Sequence, residues 1–242
     1  MSYIFREHIK QSLAVIAFLI TLTACTSGSY DAGDGPNSYL TADLVLLHTS
    51  QDKSVRSALL DDGTTLQFSN PFAQDWLTRP DSVYRALLYY DKTVAASDAA
   101  ASNPTATSIV RARSVRPVSV LRPVEAAKVD AMRTDPVGFE SLWLSKNKSY
   151  INLSLLLKSG KTEADDALHA LGIVSHGTTT DADRRRTLHL TLYHDQGGVP
   201  AYYTVQQYVS IPTQLLEEAD TVELTLNTYN GKKVVKVAVS NL

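Results

Sequence analysis

The sequence predicts an all-β protein with only minor helix, and three observations point to it. Short runs rich in Val, Ile, Leu, Tyr and Thr recur from Ser38 to Val239, residue types that suit a pleated, half-buried surface. In several runs apolar and polar side chains alternate, as in a strand with one face in a core. Between runs stand Asp61-Asp62-Gly63 and Tyr229-Asn230-Gly231; Asp-Gly or Asn-Gly between apolar runs signals a hairpin, here read as type I′ at Asn230-Gly231.

The chain begins differently. Arg6 and Lys10 precede an apolar stretch from Leu13 to Leu22, which closes in Leu22-Thr23-Ala24-Cys25. A charged start, a short apolar centre and small residues before a cysteine predict a cleaved signal peptide over residues 1–24. The stretch is too short for a bilayer span, which takes about 20 apolar residues. Resemblance to a lipobox implies cleavage before Cys25, diacylglycerol on its thiol and acylation of its new amino terminus. Several acyl chains anchor a protein stably where one does so marginally. Thr26 rather than aspartate follows Cys25, which by resemblance to Gram-negative sorting rules implies the cell outer membrane, on either its periplasmic or its surface side. Residues 25–37, rich in Gly, Ser and Asp, read as a flexible tether.

Removing residues 1–24 takes away two basic and one acidic side chain. The remaining 218 residues carry 21 basic and 24 acidic side chains, a net charge of −3. An exported chain of that charge is a poor nucleic-acid binder, since phosphate neutralisation needs positive surface. Cys25 is the only cysteine, so no internal disulfide forms and stability rests on core packing. At about 150 residues per domain, the length fits one large or two small domains.

In order, strands are predicted over Ser38–Leu47, Val55–Leu60, Thr64–Phe68 and Val83–Tyr90. Asn70-Pro71 interrupts, Trp76 and Leu77 fall in a loop or short turn, and Ala95–Thr107 reads as an exposed loop. Ser108–Ser114 and Val118–Leu121 follow, with Arg111 and Arg113 on one face opposite Val110 and Ala112. Pro123 is suited to a first helical position, and Val124–Arg133 is predicted as a helical run stopped by Asp135-Pro136-Val137-Gly138. Later strands are Phe139–Leu144, Tyr150–Lys158, Leu168–Ser175, Thr187–Tyr193 and Tyr203–Ile211, then a helical turn or two over Thr213–Ala219 and a last hairpin. In Tyr150–Lys158, Ile151, Leu153, Leu155 and Leu157 share one face, with Asn152 and Ser154 opposite. Short strands with frequent turns read as a β-sandwich.

Several segments carry a family resemblance. They are Asp61-Asp62-Gly63-Thr64-Thr65-Leu66, Asn70-Pro71-Phe72, the run Pro80 to Tyr90, Asp135-Pro136-Val137-Gly138-Phe139-Glu140-Ser141, Tyr150-Ile151-Asn152-Leu153 and Asn227-Thr228-Tyr229-Asn230-Gly231. With the lipobox they span nearly the whole mature chain, which resembles the NigD-like lipoproteins, a family named from a bacteriocin-associated gene cluster. The resemblance implies an OB-like N-terminal β-barrel followed by a C-terminal antiparallel β-sandwich. Boundaries are expected at 38–122 for the barrel, 123–135 for a helical linker and 136–242 for the sandwich. It implies no catalytic residues.

Chemistry-bearing residues are sparse. His169, His176, His189 and His194 lack zinc-ligand spacing, and no metal site is expected. Thr180-Asp181-Ala182-Asp183 runs into Arg184-Arg185-Arg186, which opposes a cation, so a solvated loop is expected there. There is no Gly-x-Ser-x-Gly elbow, phosphate loop or dinucleotide fingerprint, and no cofactor or catalytic residue is expected. Arg111, Arg113, Arg116 and Arg122 suit an anionic group through their planar forks, with Arg111 and Arg113 the expected binding residues. Tyr89-Tyr90 and Tyr202-Tyr203 with Tyr208 are read mainly as cross-strand pairs, and otherwise as stacking surfaces. The expected role is a non-catalytic envelope lipoprotein that binds a protein, peptide or glycan, bacteriocin-associated in immunity or export. The alternative is an envelope hydrolase or glycan-binding protein whose site is assembled from distant residues.

Overall fold

A computed structural model describes residues 40–92, 108–161, 168–216 and 218–239. The signal peptide, Cys25 and the tether lie outside the described residues. Barrel and sandwich fall in one compact unit, Leu40–Leu242.

Five strands close the barrel in the order β1-β2-β3-β5-β4, with β1 Leu40–Thr49, β2 Val55–Leu60, β3 Thr65–Phe72, β4 Val83–Lys92 and β5 Ser108–Pro117. All neighbours are antiparallel except β3 and β5. Closure removes the free edges that an open sheet leaves. Alternation sends Val45, Leu47, Ala58, Leu66, Ala86, Leu88, Tyr90 and Val110 into one core, joined by Leu77. The Trp76–Leu77 loop therefore packs into the barrel, with Trp76 edge-on to Tyr84.

The sandwich has a five-stranded sheet, β14-β13-β11-β10-β7, and a four-stranded sheet, β6-β12-β9-β8. Its members are β6 Ser119–Val120, β7 Pro123–Glu125, β8 Gly138–Leu144, β9 Tyr150–Ser159, β10 Ala170–Thr180, β11 Arg186–Asp195, β12 Tyr203–Pro212, β13 Thr221–Thr228 and β14 Gly231–Ala238. Ile151, Leu153, Leu155 and Leu157 face Leu188, Leu190, Leu192, Val222, Leu224 and Leu226 in its core. Full burial of one such side chain stabilises by roughly 1.5–3 kcal/mol.

Two expectations are corrected. The helical linker is absent: Pro123–Glu125 form β7, parallel to β10, and only Ala126–Lys128 make a single 3-10 turn. Helix-prone composition loses here because a short isolated helix is marginal in water, while β7 gains a ladder along β10. The sandwich thus already recruits residues 119–125. Both predicted hairpins form, but the type I′ turn expected at Asn230-Gly231 does not, and the Asp61–Gly63 turn is not of that type either. That type needs positive φ at both central residues, and only Gly63 (φ +90°) and Gly231 (φ +100°) have it at these turns.

Candidate functional site

The outer face of the four-stranded sheet does not meet solvent throughout. Asn152, Ser154 and Ser210 point away from the sandwich core, yet they are 0%, 2% and 0% exposed. Arg85 of β4 and the neighbouring Asp61 meet Asn152 and Ser210 from the barrel side, and Glu140 and Gln206 bond Ser154. Leu44 of β1 and Leu87 of β4 pack with Val118, and Tyr89, Trp143 and Tyr208 flank this patch.

Beside the patch a polar network crosses from barrel to sandwich. Arg85 of β4 donates from Nη1 and Nη2 to the two carboxylate oxygens of Asp61, at 2.6 and 2.7 Å. Its Nη2 also reaches Asn152 Oδ1 at 3.0 Å, and its Nε reaches Ser210 Oγ at 3.1 Å. Asn152 Nδ2 donates to Asp61, and Ser210 Oγ donates to Asn152 Oδ1, both at 2.8 Å. The guanidinium lies over the Tyr150 ring, 4.4 Å from its centroid. Each nitrogen and oxygen named here has at least one partner, and a satisfied buried network rigidifies a junction. The chain running between the modules adds to it: Val118 N–H bonds the Arg85 carbonyl and Leu121 N–H bonds the Ser210 carbonyl.

Next to this latch a cleft of about 430 Å³ opens between the modules, within the size range of small-ligand sites. Its lining includes Asp43, Tyr89, Glu140, Trp143, Gln206 and Tyr208. A smaller hollow of about 250 Å³ shares Leu87, Tyr89, Gln206 and Tyr208 and adds Arg116. Glu140 is the extra residue where the β8–β9 register shifts between Phe139 and Ser141. Such a bulge re-aims a side chain. Ser154 Oγ (2.6 Å) and Gln206 Nε2 (2.5 Å) both donate to Glu140 Oε2. Those two bonds, Ser154's first, hold its carboxyl below the usual glutamate range. Across the cleft, Asp43 accepts the Tyr90 hydroxyl at 2.8 Å. Trp143 and Tyr208 meet edge to face, 6.4 Å between centroids.

Of the residues singled out in the sequence, Tyr89 and Tyr208 line this cleft, whereas Tyr90 turns into the barrel core. Arg111 and Arg113 are exposed on β5 and belong to neither hollow. Arg113 sits in the register shift opposite Tyr89 and Tyr90 and is ion-paired with Asp91. His169 and His194 stack, 5.2 Å between centroids. His176 bonds Thr191, and His189 bonds Thr179 and Glu223. No group of three metal-ligating side chains occurs among the described residues. Sequence reasoning missed Arg85, Asp61 and Glu140. A lone arginine inside the otherwise apolar and aromatic run Val83–Tyr90 was the available signal for the first.

Residues 120–239 match the family model described as NigD-like C-terminal beta sandwich domain. No curated protein matches the chain. Among solved structures, the fold is similar to that of a NigD-like immunity protein from Bacteroides caccae. That likeness has 22% identity and a TM-score of 0.60, over 81% of this chain and 91% of that one. A candidate lipoprotein from Bacteroides fragilis is similar at 13% identity and a TM-score of 0.57, over 83% and 98%. A candidate toxin-related protein from Parabacteroides distasonis is similar at 20% identity and a TM-score of 0.54, over 82% and 92%. At such identities the likeness is one of fold, and its extent includes the barrel as well as the sandwich.

Proposed function

The chain belongs to the NigD-like family, whose C-terminal sandwich it carries over residues 120–239, and from that premise we propose a non-catalytic, lipid-anchored envelope protein that binds a partner in its interdomain cleft. The role is bacteriocin-associated, in immunity or export. The observation that carries the reading is the cleft: two β modules, locked where Arg85 and Asp61 of the barrel bond Asn152 and Ser210 of the sandwich, leave aromatic and carboxylate side chains facing a fixed space. A rigid site binds without a large ordering cost. The immunity protein and the candidate lipoprotein of like fold support the setting, as does the lipobox ending at Cys25. Fold likeness alone transfers no function, so the test must be direct.

Metabolic labelling supplies the first arm. The wild-type chain incorporates palmitate and partitions with membranes, and Cys25→Ser does neither; equal labelling of both overturns the anchor. In the second arm, partners are captured from envelope extracts with wild type and with Trp143→Ala. Loss of capture in a variant of unchanged melting behaviour supports the cleft. A parallel variant, Arg111→Glu with Arg113→Glu, tests the β5 face, where charge reversal abolishes any bidentate recognition. Turnover of envelope glycans or peptides by the purified protein overturns the non-enzyme reading.

A further inference from the structure

We propose that the ligand group seated in the cleft is a basic side chain, arginine or lysine, presented by a peptide segment. The inference rests on the preceding reading that the cleft is the binding site.

Four carboxylates line the cleft: Asp43, Asp61, Asp62 and Glu140. Asp61 is neutralised by Arg85. Asp62 is held low first by the Thr64 backbone N–H, and the charge of Lys146 also acts on it. Asp43 and Glu140 differ. Asp43 meets the neutral Tyr90 hydroxyl, and Glu140 meets the neutral Ser154 and Gln206. Among the described residues neither has an ion-pair partner. Glu140 keeps its negative charge because its two donors favour the ionised form, and both donors bind Oε2, so Oε1 is not engaged by them.

Beside these carboxylates stand Tyr89, Trp143 and Tyr208, all half-buried. A cation near an aromatic face is attracted by the ring quadrupole, and a guanidinium both stacks on rings and bridges carboxylates. The same preference is realised within this protein, where Arg85 lies over Tyr150 while bonding Asp61. A sugar is the weaker fit. Stacking on a pyranose needs a flat exposed platform, and Trp143 and Tyr208 stand at 84° to each other. Among the described residues Lys146 is the one cation lining the cleft and acts on Asp62, so the uncompensated charge left at Asp43 and Glu140 is negative, which makes a basic peptide its complement.

The test uses the lipidated full-length protein in uncharged detergent, labelled with 5-fluorotryptophan. The chain has two tryptophans: Trp143 reports on the cleft, and Trp76, packed on Tyr84 in the barrel, is the internal control. The probes are blocked pentapeptides, Gly-Gly-Arg-Gly-Gly, its lysine analogue and its citrulline analogue, with a chito-oligosaccharide in parallel. The arginine and lysine peptides shift the Trp143 fluorine signal and leave Trp76 unmoved. Citrulline, which keeps the shape and loses the charge, binds about fivefold more weakly. Glu140→Gln, at an exposed position, weakens the arginine peptide by a similar factor without altering the melt. Equal binding of arginine and citrulline peptides, or a response to the oligosaccharide alone, overturns the basic-peptide assignment and leaves the cleft as the binding site. A Trp143 signal silent to all four probes, with partner capture undiminished by Trp143→Ala, overturns the cleft reading itself.

Discussion

Arg85 and Asp61 meet through two parallel hydrogen bonds of 2.6 and 2.7 Å, with the arginine side chain 1% exposed and the carboxylate 20%. Both residues belong to the barrel, yet the pair completes its bonding with Asn152 and Ser210 of the sandwich. A buried ion pair need not outperform an apolar pair of the same shape, because desolvating two charges is costly. Its sensitivity lies in what remains when one partner goes.

Arg85→Met is therefore expected to cost about 3 kcal/mol, the lower end of the range for a broken buried pair, because water reaches the partly exposed Asp61. Asn152 and Ser210, both fully buried, also lose a donor. The double variant Arg85→Met with Asp61→Leu is expected to be less destabilised than the sum of the single variants, since it strands no charge. Urea unfolding of the four proteins checks this. Simple additivity would show that the two residues act independently.

How much of this was legible in the sequence differs by layer. The alternation of Ile151, Leu153, Leu155 and Leu157 marked the sandwich core, and all four are buried there. The same alternation placed Asn152 and Ser154 on the opposite face without saying what covers it. Periodicity reports which side of a strand is apolar; it does not report a second module docked on the polar side. Glu140 was hidden for another reason. Its direction follows from a one-residue register shift, and a bulge leaves little trace in the pattern of a strand as short as Gly138–Leu144. The composition of Val124–Arg133 favoured a helix, but the edge of β10 takes up Val124 and Glu125 and leaves only a 3-10 turn at Ala126–Lys128.

Tyr90 offers an alkaline test. Its ring is 3% exposed and its hydroxyl donates to Asp43. Burial first, then the bond and charge of Asp43, push the phenol above its ordinary range, which for tyrosine is about 10. A group whose folded pKa is raised gives stability that is present below the unfolded value. That contribution is lost as pH rises through the folded value. The barrel is thus expected to weaken above about pH 10, with Tyr90 resisting ionisation there. Tyr90→Phe should cost about 1 kcal/mol at neutral pH and flatten the alkaline fall. Absorbance titration of the phenolates alongside melts checks both, and a Tyr90 that ionises with the exposed tyrosines would refute it.

His169 sets an acid limit for the sandwich. Its Nδ1 lies 2.9 Å from His194 Nε2, and His194 Nδ1 lies 2.9 Å from the Asp135 carbonyl oxygen. The carbonyl can only accept, so His194 carries its proton on Nδ1, and His169 Nδ1 donates to the lone pair on His194 Nε2. That leaves His169 Nε2 buried without a hydrogen-bond partner. A second proton there would stand against the stacked His194 ring, with only the Lys158 backbone to favour it. Burial first, then the charge of His194, lower the His169 pKa accordingly. The sign follows. The unfolded chain takes up the proton near pH 6.5, the ordinary histidine value, while the folded chain still refuses it. Stability is therefore full above about pH 6.5 and falls as pH drops toward the lower folded pKa. His169→Gln removes the titrating group and should leave a melting temperature less dependent on pH across that window. Melts of wild type and variant at several values between about pH 7.5 and 5 decide it, and parallel curves would assign the acid sensitivity to another group.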